Sequence, residues 1–294
     1  MAPPTSKILN GKPVALVYET ELKRKLEQLQ GAKPSGAPLA LLTVQAGMSP
    51  DMQLYTKSLG KVLARFGIRH VEKICRSNEE IQRDLIPLFK DPSITGIMVF
   101  SPLPDSIDAN LIFLNLPRKK DVEGRTFIKG NPFGVLSPTS KAVMALLNAL
   151  QKENASHFRI KGKHAVMVGH SDLVGKPTAV LLLDEGATVT VCHKDTLNLQ
   201  KHVSEADILI VAIGKPGVIR PQWVKKGAVV LDVGENVVNG KIVGDVDLEA
   251  VLDKVSYISP VPGGVGPLTN LMVIENLITL NEYNEYKDQS NGNY

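Results

Sequence analysis

Residues 166–177 read VMVGHSDLVGKP, and the architecture of the chain turns on how this stretch folds. The run HAVMVG that contains its start is short, apolar and closed by glycine, the pattern of a strand buried on both faces. Gly169 supplies a turn, and VGKPTAVLLLDEG then carries helical periodicity to a stop at Gly186. Strand, glycine turn and helix together present backbone amides at a helix N-terminus, where N–H groups and the helix dipole hold a phosphate. The spacing departs from G-x-G-x-x-G, because Ser171 follows Gly169 and His170, and the next glycine is Gly175, one residue late. A plain tight turn reads the same way locally. What favours a dinucleotide is the alternation around it.

Downstream, ATVTVCH is a strand, TLNLQKHVSEA a helix, ADILIVAIG and KGAVVLDVG strands, and SYISPV a last strand. PGGVGPLTNLMVIENLITL is a glycine-rich loop entering a long apolar helix. Upstream, PLALLTVQAG (38–47) is a strand and a helix starts at Pro50, with Ser49 as N-cap. Met52, Tyr55, Leu59, Val62, Leu63 and Phe66 share one face of it, and Gly67 stops it. A strand near 69–75, a helix near 78–90, a strand at 95–100, a helix near 106–114 and an amphipathic helix at 139–152 follow. The fold class is therefore α/β with parallel sheets, and polar ENASHFRIKGK reads as a hinge. The tail EYNEYKDQSNGNY is polar and is expected to fray.

Composition narrows the function. The net charge of +4 comes from 34 basic and 30 acidic residues without runs, which argues against nucleic acid and suits an anionic small molecule. Two distant cysteines, Cys75 and Cys192, offer neither metal spacing nor a disulfide framework; buried reduced thiols suit the cytoplasm. MAPPTSKILNGKP carries no apolar run of leader length, and no stretch approaches a membrane span.

Two further segments bear on chemistry. SPVPGGVGPLTN (259–270) concentrates prolines and glycines after the last strand, where α/β folds bind ligands, and exceeds what a plain connection needs. KKDVEG (119–124) is an acid-bearing loop that by itself reads as solvated surface. Cofactor preference comes from the strand end VCHKDT: His193 and Lys194 precede Asp195, and His170 lies in the turn. Basic groups there favour the 2′-phosphate of NADP, with NAD left open.

Together these pieces resemble the methylenetetrahydrofolate dehydrogenase/cyclohydrolase family along nearly the whole chain. VGHSDLVGKP is similar to its VG-x-S-x-x-VGKP segment. ATVTVCHKDT, ADILIVAIGKPG, GAVVLDVG and KIVGDVD follow in its order, and PVPGGVGPLT is close to its PVPGGVGPMT. The resemblance implies two α/β domains with a folate cleft between them. Residues 1–150 with the helix 268–294 form the folate domain, and 151–267 a Rossmann-like NAD(P)-binding domain. It implies a homodimer that oxidises 5,10-methylenetetrahydrofolate in one-carbon metabolism, then hydrolyses the methenyl product.

Carried over by position, Tyr55 packs on the pterin and Glu123 accepts from its amino group. Leu59, Val99, Phe100, Ser101 and Pro262, Gly263, Gly264, Val265 and Gly266 line the substrate site. Gly169, His170, Ser171, Val174, Gly175, Lys194 and Glu235 hold the cofactor. The departures cluster. Leu59 stands at the family's lysine, Phe100 at the glutamine of QLPLP, Glu123 at the aspartate of KDVDG, Met52 at a serine and SPTS (137–140) at PCTP. Glu235 stands where the family usually has an apolar residue. Leucine can neither donate a proton nor hydrogen-bond the bridge nitrogens. The expectation is a dehydrogenase with a weak or lost cyclohydrolase step; a silent binding relative and a full bifunctional enzyme are the alternatives.

Overall fold

In the computed structural model the described residues are 7–31, 38–47, 50–125 and 135–291. Ser49, read as a helix cap, and the first six residues of the opening stretch lie outside them. Two compact units divide the chain: Glu19–Pro138 with Val273–Tyr294, and Met1–Tyr18 with Thr139–Met272. The sequence places the first border at 150. In the structure helix 138–153 groups with the second of these units, where Ser140 donates to the Val174 carbonyl (3.2 Å) and accepts from Thr178 Oγ1 (2.9 Å). Those bonds tie the helix to the 166–177 turn.

The chain opens with a helix that periodicity did not reveal, α1 (Gly11–Gly31). Its buried apolar side chains are few (Ala15, Leu22, Leu26), while Leu16 and Val17 are exposed, so no clean apolar stripe announces it. In the first unit, β1 (Ala40–Ala46) is followed by α2 (Pro50–Arg65) and β2 (Arg69–Cys75). Next come α3 (Asn78–Glu80), a π-helical stretch Ile81–Leu85, α4 (Ile86–Lys90), β3 (Gly96–Val99) and α5 (Ala109–Phe113). The sheet is parallel in the order β2-β1-β3. Central β1 is buried along its whole length, as a strand covered on both faces must be. Leu42, Val44, Ile81, Leu85, Phe89 and Ile97 build its core.

The second unit runs α6 (Pro138–Glu153), β4 (His164–Val168), α7 (Gly175–Asp184), β5 (Thr188–Cys192), α8 (Leu199–Glu205), β6 (Ile208–Val211) and β7 (Val229–Asp232). A short antiparallel hairpin not expected from the sequence, β8 (Asn236–Val238) with β9 (Lys241–Val243), interrupts it. Then follow α9 (Leu248–Val251), β10 (Tyr257–Ile258) and α10 (Gly266–Asn291). The main sheet is parallel, ordered β10-β7-β6-β4-β5. Register aligns Cys192 with Val168, Val168 with Val211 and Val211 with Asp232, so the residues that follow line one carboxyl edge. The chain leaves β4 toward β5 and returns to β6 on the other side. Such a reversal opens a crevice at the carboxyl ends of β4 and β6.

α10 continues to Asn291, helped by Asn281 Nδ2 donating to Glu285 Oε1 (3.1 Å) and Asn284 Nδ2 to the Lys119 carbonyl (3.2 Å). Among the described residues no helix is long and apolar enough to cross a membrane.

Candidate functional site

In the first unit, α2 brings Tyr55 up against Phe100, which directly follows β3. Their rings meet edge to face, centroids 5.5 Å apart at 86°. Phe100 is 8% exposed, and Leu59, one helical turn beyond Tyr55, is completely buried. The lysines of α2, Lys57 and Lys61, are exposed. Lys57 helps to line a cavity of about 300 Å³ with Gln45, Gln53, Thr56, Glu72 and Ile74, none of them a predicted site residue.

Glu123 is not the solvated acid that its loop suggested; it is 7% exposed. Its Oε2 accepts from the Val99 amide (2.9 Å) and from Arg125 through Nε (3.0 Å) and Nη2 (2.9 Å). Burial pushes its carboxyl above the ordinary range, and the neighbouring Asp121 pushes the same way, against the pull of the Arg125 guanidinium and the Val99 amide. Asp121 shapes the loop by accepting from the amides of Glu123 (3.0 Å) and Arg125 (2.8 Å). Asn276 on α10, fully buried, donates to the carbonyls of Val122 (2.8 Å) and Leu136 (2.7 Å). Val99, Phe100, Ser101 and Glu123 are thus brought together with Tyr55.

In the second unit, the 166–177 turn is built tightly enough to admit a phosphate beside backbone. Gly169 sits at φ 124°, and a Cβ there would lie 2.3 Å from the Ala212 carbonyl oxygen beyond β6. A Cβ on Gly175 would lie 2.2 Å from the Gly169 oxygen. Only glycine fits either place. One expected phosphate donor is otherwise engaged, and a second is tied into the turn as an acceptor. The Gly169 amide donates to the Cys192 carbonyl (2.9 Å), and Ser171 Oγ accepts from the amides of Val174 (3.2 Å) and Gly175 (3.4 Å). Gly169 therefore shapes the turn, and Ser171 braces it while keeping its own O–H to donate. His170 and His193 come together from β4 and β5, ring centroids 5.0 Å apart, with exposed Lys194 following.

Two buried aspartates organise the same edge. Asp245 accepts from the amides of Ile213 (2.7 Å), Gly214 (2.9 Å) and Lys215 (2.8 Å) and from Asn236 Nδ2 (2.9 Å). Asp232 accepts from Gly234 (3.0 Å), Asp245 (3.1 Å) and Val246 (2.8 Å), and burial pushes its carboxyl up to about 6. In the 259–266 loop the Gly264 amide donates to the Pro260 carbonyl (2.7 Å) and the Gly263 carbonyl accepts from the Gly11 amide (2.9 Å). Val265 is buried, and Gly266 starts α10. Glu235 reaches this point: its Oε1 lies 2.9 Å from where a side chain on Gly266 would begin, and partial enclosure raises its carboxyl.

The domain comparisons agree with this division of labour. Residues 9–123 match the catalytic domain of tetrahydrofolate dehydrogenase/cyclohydrolase, and residues 137–285 match its NAD(P)-binding domain. The chain belongs to the tetrahydrofolate dehydrogenase/cyclohydrolase family. It is 41% identical to the bifunctional protein FolD of Dictyoglomus turgidum over 92% of this chain and 96% of that protein. The crystal structure of the bifunctional FolD of Campylobacter jejuni matches with a TM-score of 0.83 at 38% identity, covering 94% of this chain and 99% of that one. The Trypanosoma brucei enzyme, solved with NADP and an inhibitor, matches with a TM-score of 0.83 at 32% identity, over 94% and 97% of the two chains.

Several residues that build the site were not singled out from this family member's sequence. Arg125, Asn276, Asp232 and Asp245 have only a weak linear signal, a charged or amide residue inside an otherwise apolar or glycine-rich run. Asn276 within LMVIENLITL is the clearest, since a buried amide demands partners.

Proposed function

We propose that this chain oxidises 5,10-methylenetetrahydrofolate with NADP, or with NAD, and that its cyclohydrolase step is weak or absent. The observation that carries the second half is the side chain at 59: leucine, completely buried, on the helix that presents Tyr55. The first half is supported by family membership and by a glycine turn whose Cβ positions are closed by backbone at the crevice between β4 and β6.

NADP when bound supplies a hydride acceptor. The remaining work falls to the protein. The α7 N-terminus and the 169–175 turn receive the anionic end of the cofactor. His170, His193 and Lys194 would meet its 2′-phosphate. Tyr55 gives the pterin an aromatic face, and Glu123 an acceptor for its N–H groups. Hydride loss from the one-carbon bridge is assisted by the folate nitrogen lone pairs, so oxidation asks for positioning, not for a protein acid or base. Hydrolysis of the methenyl cation is different. Water must lose a proton as it attacks, which calls for a tuned general acid–base group that leucine cannot provide.

Full bifunctional activity is the second reading, and the comparisons by themselves favour it, since the relatives at 38–41% identity are bifunctional proteins. What weighs against it is local, at Leu59 and Phe100. We also infer a cytoplasmic homodimer. The inference is supported by the family resemblance and by two free, buried thiols, Cys75 and Cys192. Purified protein with methylenetetrahydrofolate and each nicotinamide cofactor tests the reading. Reduced cofactor and methenyl absorbance are followed separately. Methenyl product decaying only at the buffer rate supports it; rapid methenyl consumption supports the bifunctional reading; no reduction with either cofactor supports a silent binder.

A further inference from the structure

Among the described residues, Arg125 makes more polar contacts than any other side chain around Glu123, and nothing in the functional reading uses it. Its guanidinium grips Glu123 Oε2 through both Nε (3.0 Å) and Nη2 (2.9 Å). Nη2 also donates to the Val99 carbonyl (2.6 Å) and, at 3.3 Å, to Ser101 Oγ. The group lies over the Phe113 ring, 4.4 Å from its centroid, and the Arg125 amide is held by Asp121 Oδ2 (2.8 Å). A planar cation fixed by a carboxylate, a carbonyl, a hydroxyl and an aromatic face has little freedom left.

The consequence lies in the geometry of Glu123. All three of its hydrogen bonds fall on Oε2. Oε1 accepts none among the described residues, and it is not among the buried atoms sealed away without a partner. The carboxylate is therefore held by one oxygen and presents the other. The charged groups facing it are Arg125, which favours the anion, and Asp121, which opposes it.

We propose that Arg125 is a positioning residue for folate: it holds Glu123 by Oε2 and leaves Oε1 aimed at the N–H groups of the pterin. This rests on the dehydrogenase reading given above. A carboxylate freed from the guanidinium could rotate, and a proton on Oε1 would weaken its contact with the pterin N–H groups, so substrate affinity depends on the arginine, which itself need not touch substrate.

The test compares wild type with Arg125→Met and Arg125→Lys between pH 5.5 and 8.5. It measures kcat and the separate KM values for methylenetetrahydrofolate and NADP. Arg125→Met is expected to raise the folate KM by about tenfold or more, the worth of a charge-assisted hydrogen bond, with the NADP KM within about twofold. The pH below which the folate KM climbs moves upward in the same variant, because the counter-charge is gone. Arg125→Lys keeps the charge but loses the fork. It is expected to keep the wild-type pH limb with a folate KM raised about threefold.

Equal rises in both KM values, or a folate KM and pH limb unchanged in Arg125→Met, overturn the proposal. Should that variant not fold, Arg125→Lys decides: a wild-type folate KM in it overturns the proposal. If wild type reduces neither cofactor, the dehydrogenase reading fails separately. Equilibrium binding of tetrahydrofolate to the same proteins then decides. Weaker binding by Arg125→Met with the same pH shift supports the positioning role, and equal or undetectable binding in both overturns it.

Discussion

Restoring the missing base is the sharpest test of the buried leucine. Leu59→Lys places an ammonium where the native side chain has no exposure at all. Enclosure disfavours the charged form and lowers the lysine pKa; a fall of about three units corresponds to roughly 4 kcal/mol. At about 2–4 °C per kcal/mol for a domain of this size, the melting temperature should drop by on the order of 10 °C. Phe100→Gln alone removes an aromatic side chain that is 8% exposed and its edge-to-face contact with Tyr55, a loss of roughly 3 kcal/mol. Together the amide can accept from the amine, so the double variant should be about 1–3 kcal/mol more stable than the sum of the single losses. The assay is a double-mutant cycle in urea unfolding, run beside the decay of methenyltetrahydrofolate. A positioned amine with a lowered pKa should accelerate that decay by about 10²-fold over wild type in the double variant. A folded double variant with additive stabilities and unaltered methenyl decay would refute the reasoning, as would a wild-type protein that already consumes methenyl rapidly.

Gly169→Ala forces a Cβ to within 2.3 Å of the Ala212 oxygen at φ 124°, and should raise the NADP KM about tenfold or more while the folate KM changes little, by steady-state kinetics. His170→Ala should lower the ratio of kcat/KM for NADP over NAD by about tenfold, if the paired imidazoles meet the 2′-phosphate. Asp232 holds its proton up to about pH 6 in the folded chain against an ordinary 3.8, so the folded state binds more protons between those values. Stability should therefore fall as pH rises through that window, by roughly 3 kcal/mol in all, and Asp232→Asn should flatten the slope in denaturant titrations. Asn276→Leu leaves the Val122 and Leu136 carbonyls without their donor and should cost about 2–4 kcal/mol, read by thermal unfolding.

The strands and most helices could be read from the chain because their signals are local. Apolar runs such as HAVMVG and ADILIVAIG are strands wherever they are buried, and glycine closes a turn by its own conformational freedom. The missed elements had no such signal. α1 buries too few residues to show a stripe, and near the end of α10 Asn284 donates to the Lys119 carbonyl, a partner 165 positions away.

The amino-acid sequence by itself settled the α/β class, the glycine turn, and the leucine standing at the lysine position of the family it resembles. Each of these is a matter of residue type at a place along the chain. Only the tertiary structure decided that Glu123 is buried and gripped by Arg125, that Ser171 accepts from the Val174 and Gly175 amides, and that Asp232 and Asp245 gather loops from separate strands. Those facts depend on which distant groups arrive beside a carboxylate or hydroxyl and how much water they exclude, and neither quantity is written in the local order of residues.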